Sequence, residues 1–270
     1  MRGMNKMFQG PLLIQYILGR VAVFALAPFY FAAIRLMGYR VRNLRKIRQE
    51  CSRHFRNHDG PWIICSNHLT MVDSIIIIYA TVSLSRHLLF YREIPWNLPE
   101  RNNFQRSIIL TILCYLSKCI AINRGGNREE MKKTLDTCNS LLEGKQHLMV
   151  FPEGGRSRTG RVNTESYSYG VGRFVKDFEN CKIMCIYQRG DGQHTYGFVP
   201  RFGERFTVNI EVFQPQLTQQ NGLRAQRDYA GQIIKHMAHM EEDYFTTSRQ
   251  RYCGPERSTK CGEKPECAIH

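Results

Sequence analysis

The sequence predicts an α/β protein, a mixed sheet flanked by helices and preceded by an apolar N-terminal helical segment. Three patterns predict it. Short apolar runs bounded by turn-forming residues, at 61–65, 146–151 and 182–188, have the length of buried strands. Residues 206–213 alternate apolar and polar side chains, as a half-exposed strand does. Between them lie longer stretches with helical periodicity, the alternation that builds a sheet with helices on its faces. At 270 residues and 43% apolar content the chain can bury one sizeable core, and no Pro- or Ser-rich linker divides it.

The elements follow from local signals. Residues 21–34 are fourteen consecutive apolar residues. As a helix they cover about 21 Å against a hydrocarbon core of roughly 30 Å, and Pro28 interrupts them. The favoured reading is a helical hairpin inserted into one leaflet. Counting residues 12–37, with Arg20 and Arg35 snorkelling, makes a single span feasible, and an ordinary buried helix is the third choice. A cleavable signal peptide does not fit, because no small-x-small site follows the run before the arginines.

Arg40, Arg42, Arg45, Lys46, Arg48, Arg53 and Arg56 come next, opposed only by Glu50, and carry much of the net charge of +15. A nucleic-acid binder would set such a patch on phosphates. Beside an apolar run it fits anionic lipid head groups better, so no nucleic-acid partner is expected.

Beyond the first strand, residues 75–82 read as helix, 88–91 as a strand, 107–119 as an apolar helix and 120–122 as a short strand. Asn127, followed by Glu129 and Glu130, opens a helix that stops at Gly144. Residues 223–245 close the domain as an amphipathic helix. The expected division is a membrane-associated helical segment at 1–45 that includes the start of the basic patch, a globular domain at 46–245 and a disordered polar tail at 246–270. Ten cysteines at irregular spacing, with Cys65, Cys114, Cys119, Cys138 and Cys185 inside apolar runs, read as buried free thiols of a reducing compartment. At the end of the tail Cys267-Ala268-Ile269-His270 has the shape of a prenylation site, and Cys253, Cys261, Cys267 and His270 are an alternative zinc set. The unusual final His and the wide spacings speak against both.

Two strings carry the chemistry. Asn67-His68-Leu69-Thr70-Met71-Val72-Asp73 follows the strand at 61–65. Inside a regular helix, residues five apart point about 140° away from each other, so His68 meets Asp73 only from a turn that precedes the helix. There the carboxylate would hold Nδ1–H and leave Nε2 free to take a proton from a hydroxyl. The alternative makes Asn67 a helix cap, His68 half-buried and Asp73 the partner of a nearby arginine.

The second string is Phe151-Pro152-Glu153-Gly154-Gly155-Arg156-Ser157, directly after the strand at 146–151. Its glycines let backbone approach a ligand, and Arg156 can fork onto phosphate oxygens. A plain surface turn accounts equally for the glycines. Between the strings, Arg124 ends the short strand at 120–122 and is a candidate second phosphate ligand, or a solvated loop arginine.

Taken in order, Asn-His-x-Thr-x-x-Asp, then Arg124 after an apolar strand, then Phe-Pro-Glu-Gly-x-Arg-Ser resembles the glycerolipid acyltransferase family of lysophosphatidate acyltransferase type, over roughly residues 45–215. The resemblance implies an α/β fold, attachment to membrane lipids with the site facing the cytoplasm, and transfer of an acyl chain from acyl-CoA or acyl carrier protein to a lyso-lipid hydroxyl, most simply lysophosphatidate to phosphatidate. It implies no metal and no cofactor beyond the donor. His68 would be the base and Asp73 its partner, with Arg124, Glu153, Gly154 and Arg156 binding the acceptor. Three positions depart from the pattern. Gly155 stands where the family usually has Thr; Ser166-Tyr167-Ser168-Tyr169-Gly170 replaces a lysine-bearing string; and the strand at 182–188 lacks the usual following proline. A different lysophospholipid or a specialised lipid as acceptor, or a catalytically silent lipid-binding relative, are the competing expectations.

Overall fold

Every residue of the strand Trp62–Ser66 is buried, and the rest of the sheet is built outward from it. The computed structural model describes residues 10–253 apart from Arg106 and Glu179, with side chains described as far as Ser248. In chain order the elements are α1 (Pro11–Leu36), β1 (Arg40–Val41), α2 (Leu44–Arg56), β2 (Trp62–Ser66), α3 (Asp73–Thr81), α4 (Leu84–Leu89), β3 (Trp96–Asn97), α5 (Arg101–Phe104), α6 (Ile108–Leu116), α7 (Arg128–Glu143), β4 (Leu148–Val150), α8 (Gly170–Asp177), β5 (Lys182–Gly190), β6 (Arg205–Phe213) and α9 (Gly222–Cys253).

The six strands form one mixed sheet in the order β1-β6-β5-β2-β4-β3. All neighbours are parallel except β5 and β6. Side chains of β2 alternate between two cores, as the period of a strand requires. Ile63 and Cys65 pack with Leu141 and Leu142 of α7, Phe174 of α8 and Ile233 and Met237 of α9. Trp62 and Ile64 pack with Ile47 and Phe55 of α2 and Ile76, Ile77 and Ala80 of α3. The expected mixed α/β sheet with helices on both faces is thus the observed one.

Four local expectations are corrected. The N-terminal segment is not a hairpin but one continuous helix running through Pro28. Gln15, Gly19, Val23, Ala27, Phe31 and Ile34 form its buried stripe, packed on α3, α4 and α6, and this docking on both sides of Pro28 holds the helix through the break. A Cβ on Gly19 would collide with the Tyr91 hydroxyl and the Leu116 carbonyl, which shows how closely α1 is seated. Residues 88–91 belong to the end of α4 and a 3-10 turn at Tyr91–Glu93, because Ser83 caps the helix and Arg86 forks onto Glu93. Residues 120–122 make only isolated bridges, Asn97 with Cys119 and Glu100 with Ile122. On β6, Phe206, Thr207 and Val208 are all buried instead of alternating, since Phe206 and Val208 pack in one core with Ile47 of α2 while the Thr207 hydroxyl on the other face accepts from Arg42.

The closing helix α9 extends beyond residue 245 to Cys253. Cys261, Cys267 and His270 lie outside the described residues. Cys51, Cys65, Cys138, Cys181 and Cys185 are buried free thiols, with Cys114 and Cys119 partly buried. Burial pushes the Cys65 thiol well above its ordinary value and Cys138 up to about 12, so neither is an activated nucleophile.

Candidate active site

Because β2 and β4 are parallel neighbours, the loops that follow them leave the same edge of the sheet side by side. This topology brings the two strings together, at the strand ends where open α/β sheets gather ligands. Asn67 is not a helix cap. Its Oδ1 accepts from the Gln188 amide at 2.8 Å and its Nδ2 donates to the Gln188 carbonyl at 2.9 Å, so its side chain extends the β2–β5 pairing by one rung. Helix α3 starts only at Asp73, which leaves residues 68–72 free to fold back.

His68 Nδ1 lies 3.0 Å from Asp73 Oδ2. Asp73 is 1% exposed and fully engaged: Oδ2 also accepts from the amides of Leu69 at 2.6 Å and Thr70 at 2.8 Å, and Oδ1 accepts from the Thr70 hydroxyl. A carboxylate with so many donors around it acts as an acceptor toward His68, which places the imidazole proton on Nδ1 and the lone pair on Nε2. Among the described residues Nε2 has no hydrogen-bond partner. The ring is partly open to solvent and stacks on Phe151, with centroids 4.2 Å apart.

The second loop is tied to the first by backbone. Glu153 Oε1 accepts from the His68 amide at 3.0 Å, and the Ser157 amide donates to the His68 carbonyl at 2.8 Å. Glu153 Oε2 is buried without a hydrogen bond among the described residues. Burial pushes this carboxyl up to about 7; the amides of His68 and Asn163 pull the other way, while the charges of Glu241 and Asp73 add to the rise. Gly154 has φ +72°, a left-handed conformation that favours glycine, whereas a Cβ on Gly155 would meet nothing within 4 Å. The threonine usual in the family would therefore fit at residue 155.

The two arginines differ. Arg156 Nη1 donates to the Gly197 carbonyl at 2.9 Å and its guanidinium lies over Tyr196, with no carboxylate partner among the described residues. Arg124 stands 3.7 Å from Glu100 and is partly neutralised by it. Counting along the parallel bridges puts Arg124 near the level of His68 but three strand positions away, about 14 Å at ordinary strand spacing. Tyr167 packs against Gly231 of α9 and so is a structural contact, while Tyr169 is exposed.

Sequence reasoning passed over the segment between β5 and β6. The Gly197 amide donates to the Leu69 carbonyl at 2.9 Å and the Met71 amide to the Phe198 carbonyl at 3.0 Å, making Gly197 and Phe198 a third wall of the site. An apolar cavity of about 360 Å³ opens beside it, lined among others by Ala27 and Phe31 of α1, Met71, Val72, Ile75 and Phe198. Lys118 also lines it; its buried amine donates to the Tyr91 and Ile94 carbonyls and to Gln146, and burial holds it well below the usual lysine range. A larger cleft of about 860 Å³ between α1, α6 and α7 includes no residue of either string. No three metal-ligating side chains converge among the described residues.

Comparison with known proteins gives the family. The profile of the family described as Acyltransferase matches residues 38–187, more than half of the chain, and the chain belongs to that family. It is an acyltransferase. The chain is also similar to the solved structure of the 1-acyl-sn-glycerophosphate (LPA) acyltransferase PlsC from Thermotoga maritima, at 14% identity and a TM-score of 0.45, covering 85% of this chain and 95% of that one. No curated protein matches the chain.

Proposed function

We propose that this enzyme moves a fatty acyl chain from acyl-CoA or acyl carrier protein to the hydroxyl of a lyso-glycerolipid at a membrane surface facing the cytoplasm, with lysophosphatidate as the leading acceptor and phosphatidate as product. The observation that carries the reading is the His68 imidazole, held at Nδ1 by a buried carboxylate and open at Nε2. The acceptor oxygen attacks the thioester carbonyl while Nε2 takes its proton. Collapse of the tetrahedral adduct breaks the C–S bond, and the departing thiolate recovers the proton from the imidazolium, which Asp73 stabilises meanwhile.

Other features fit the same substrates. The cavity beside Met71 and Val72 has the apolar walls an acyl chain needs. Glu153 Oε2, buried and without a hydrogen bond among the described residues, offers a partner for a second polar group of the acceptor, and Gly154 lets the backbone pass close by. Arg156, joined by Arg124, would hold a phosphate or another anionic head group. Helix α1 is long and apolar enough to cross a membrane, but its inner face is docked along α3, α4 and α6. A helix seated in this way lies in the membrane surface, with Ile14, Leu18, Val21, Phe24 and Phe29 on its outer side.

The string at 166–170, without a lysine, favours keeping other lysophospholipids as the second reading for the acceptor. Incubating purified protein with a panel of acyl donors and lyso-lipid acceptors, and reading products by mass spectrometry, tests both. A phosphatidate product from lysophosphatidate is expected. Absence of any acyl product beside an active control enzyme would reject the reading.

A further inference from the structure

Between β5 and β6 the chain carries Tyr196, Phe198, Val199 and Phe202, all exposed, with Phe198 at 73% and Phe202 at 76%. Rings left in water contribute nothing to the core, so their exposure on one short segment marks a surface that meets another apolar phase. The segment is nevertheless well tethered. Beyond its two hydrogen bonds to the His68 loop and the one from Arg156, the Tyr39 hydroxyl donates to the Pro200 carbonyl at 2.8 Å. The Gly203 amide donates to the Met37 carbonyl at 2.9 Å, and the Phe202 ring reaches over Gly38. Its far end thus adjoins the end of α1, so the rings continue the apolar outer face of that helix. Arg40, Arg158 and Arg201 are exposed around it; of the acids flanking the segment, Glu204 is buried and accepts from the Gly192 amide, and Asp191 is paired with Arg42.

We propose that residues 196–202 are a second lipid-contact element, which enters the same leaflet as the outer face of α1 and thereby seats the His68 loop at the bilayer surface. The proposal rests on the membrane part of the reading above and goes beyond it by naming the element that links membrane contact to the site. Aromatic side chains spread singly along a loop, bordered by arginines and continuous with an apolar helix face, have the chemistry of an interfacial anchor. Through the pairing of Gly197 with Leu69 and of Phe198 with Met71, any depth the rings adopt is passed to the backbone of the His68 loop.

The two native tryptophans, Trp62 and Trp96, are buried in the core, so an added tryptophan can be read by difference. In the full chain, Phe202→Trp should show blue-shifted emission on vesicles of phosphatidylcholine and phosphatidylglycerol, and brominated acyl chains should quench it. Leu217→Trp, exposed on the connection after β6 at the other end of the sheet, should show neither change. The double variant Val199→Ser/Phe202→Ser should lose roughly tenfold in kcat/KM toward an acceptor embedded in vesicles, and keep its activity toward a short-chain monomeric acceptor. Vesicle sedimentation separates the failures. Phe202→Trp protein that sediments with vesicles while its emission stays unquenched overturns the loop proposal alone; protein that does not sediment overturns the membrane reading and the proposal with it.

Discussion

The amide of His68 donates to Glu153 Oε1 at 3.0 Å, so the proposed base and the glutamate of the second string form one hydrogen-bonded unit across two adjacent parallel strands. The glutamate that orients the first loop is itself held in a costly state. Its Oε2 is buried without a hydrogen bond among the described residues, and burial pushes its carboxyl up to about 7.

That cost gives a pH-dependent prediction. The folded chain keeps the Glu153 proton to about pH 7, whereas an unfolded chain releases it near 4.5. Between those values the folded state binds more protons, so stability falls as pH rises, by an amount on the order of 3 kcal/mol for this group alone. Glu153→Gln removes the ionisation and keeps the shape. The thermal midpoint of Glu153→Gln relative to wild type should rise between pH 5 and pH 8 and level off above it. A constant difference over that range would mean that Glu153 is already ionised at pH 5 in the folded protein.

The two glycines of the same turn should respond differently. Gly154→Ala forces a side chain into φ +72° at a cost of roughly 1–2 kcal/mol, while Gly155→Thr enters open space and should change stability by about 0.5 kcal/mol or less. Denaturant midpoints of the two variants check this directly. Equal losses would mean that the turn is not held in the described conformation.

Arg156 should matter more for the acceptor than Arg124, because Arg124 already faces Glu100 and Arg156 has no carboxylate partner among the described residues. Arg156→Ala should raise the acceptor KM roughly tenfold to a hundredfold, the range for losing a hydrogen bond to a charged group, with a smaller rise for Arg124→Ala. Unchanged acceptor kinetics in both variants would remove the head-group assignment.

The geometry of the candidate site was legible where its residues sit next to strands. His68 and Asp73 could be placed because a dyad at that spacing needs a turn before the helix, and the delayed start of α3 at Asp73 is that turn. Glu153 could be placed because its strand neighbours the first. The contribution of Gly197 and Phe198 was not legible, since it runs through backbone hydrogen bonds that leave no signature in side chains; the crowding of Tyr196, Phe198 and Phe202 was the available signal. Pro28 misled for a related reason. Its local penalty argues for a break, and only the docked stripe from Gln15 to Ile34 overrides it. Residues 88–91 are too short an apolar run for periodicity to separate strand from helix, and the Ser83 cap decides it.

The proposed mechanism turns on His68 as the base. A neutral alcohol attacks a thioester poorly near pH 7, and a positioned general base contributes about 10² to 10⁴ in rate. The most direct measurement is the single-turnover acylation rate of His68→Ala, with folding verified by circular dichroism and vesicle binding verified by sedimentation. The rate should fall by at least about a hundredfold with little change in acceptor KM. A folded, membrane-bound His68→Ala enzyme acylating its acceptor at the wild-type rate would contradict the mechanism.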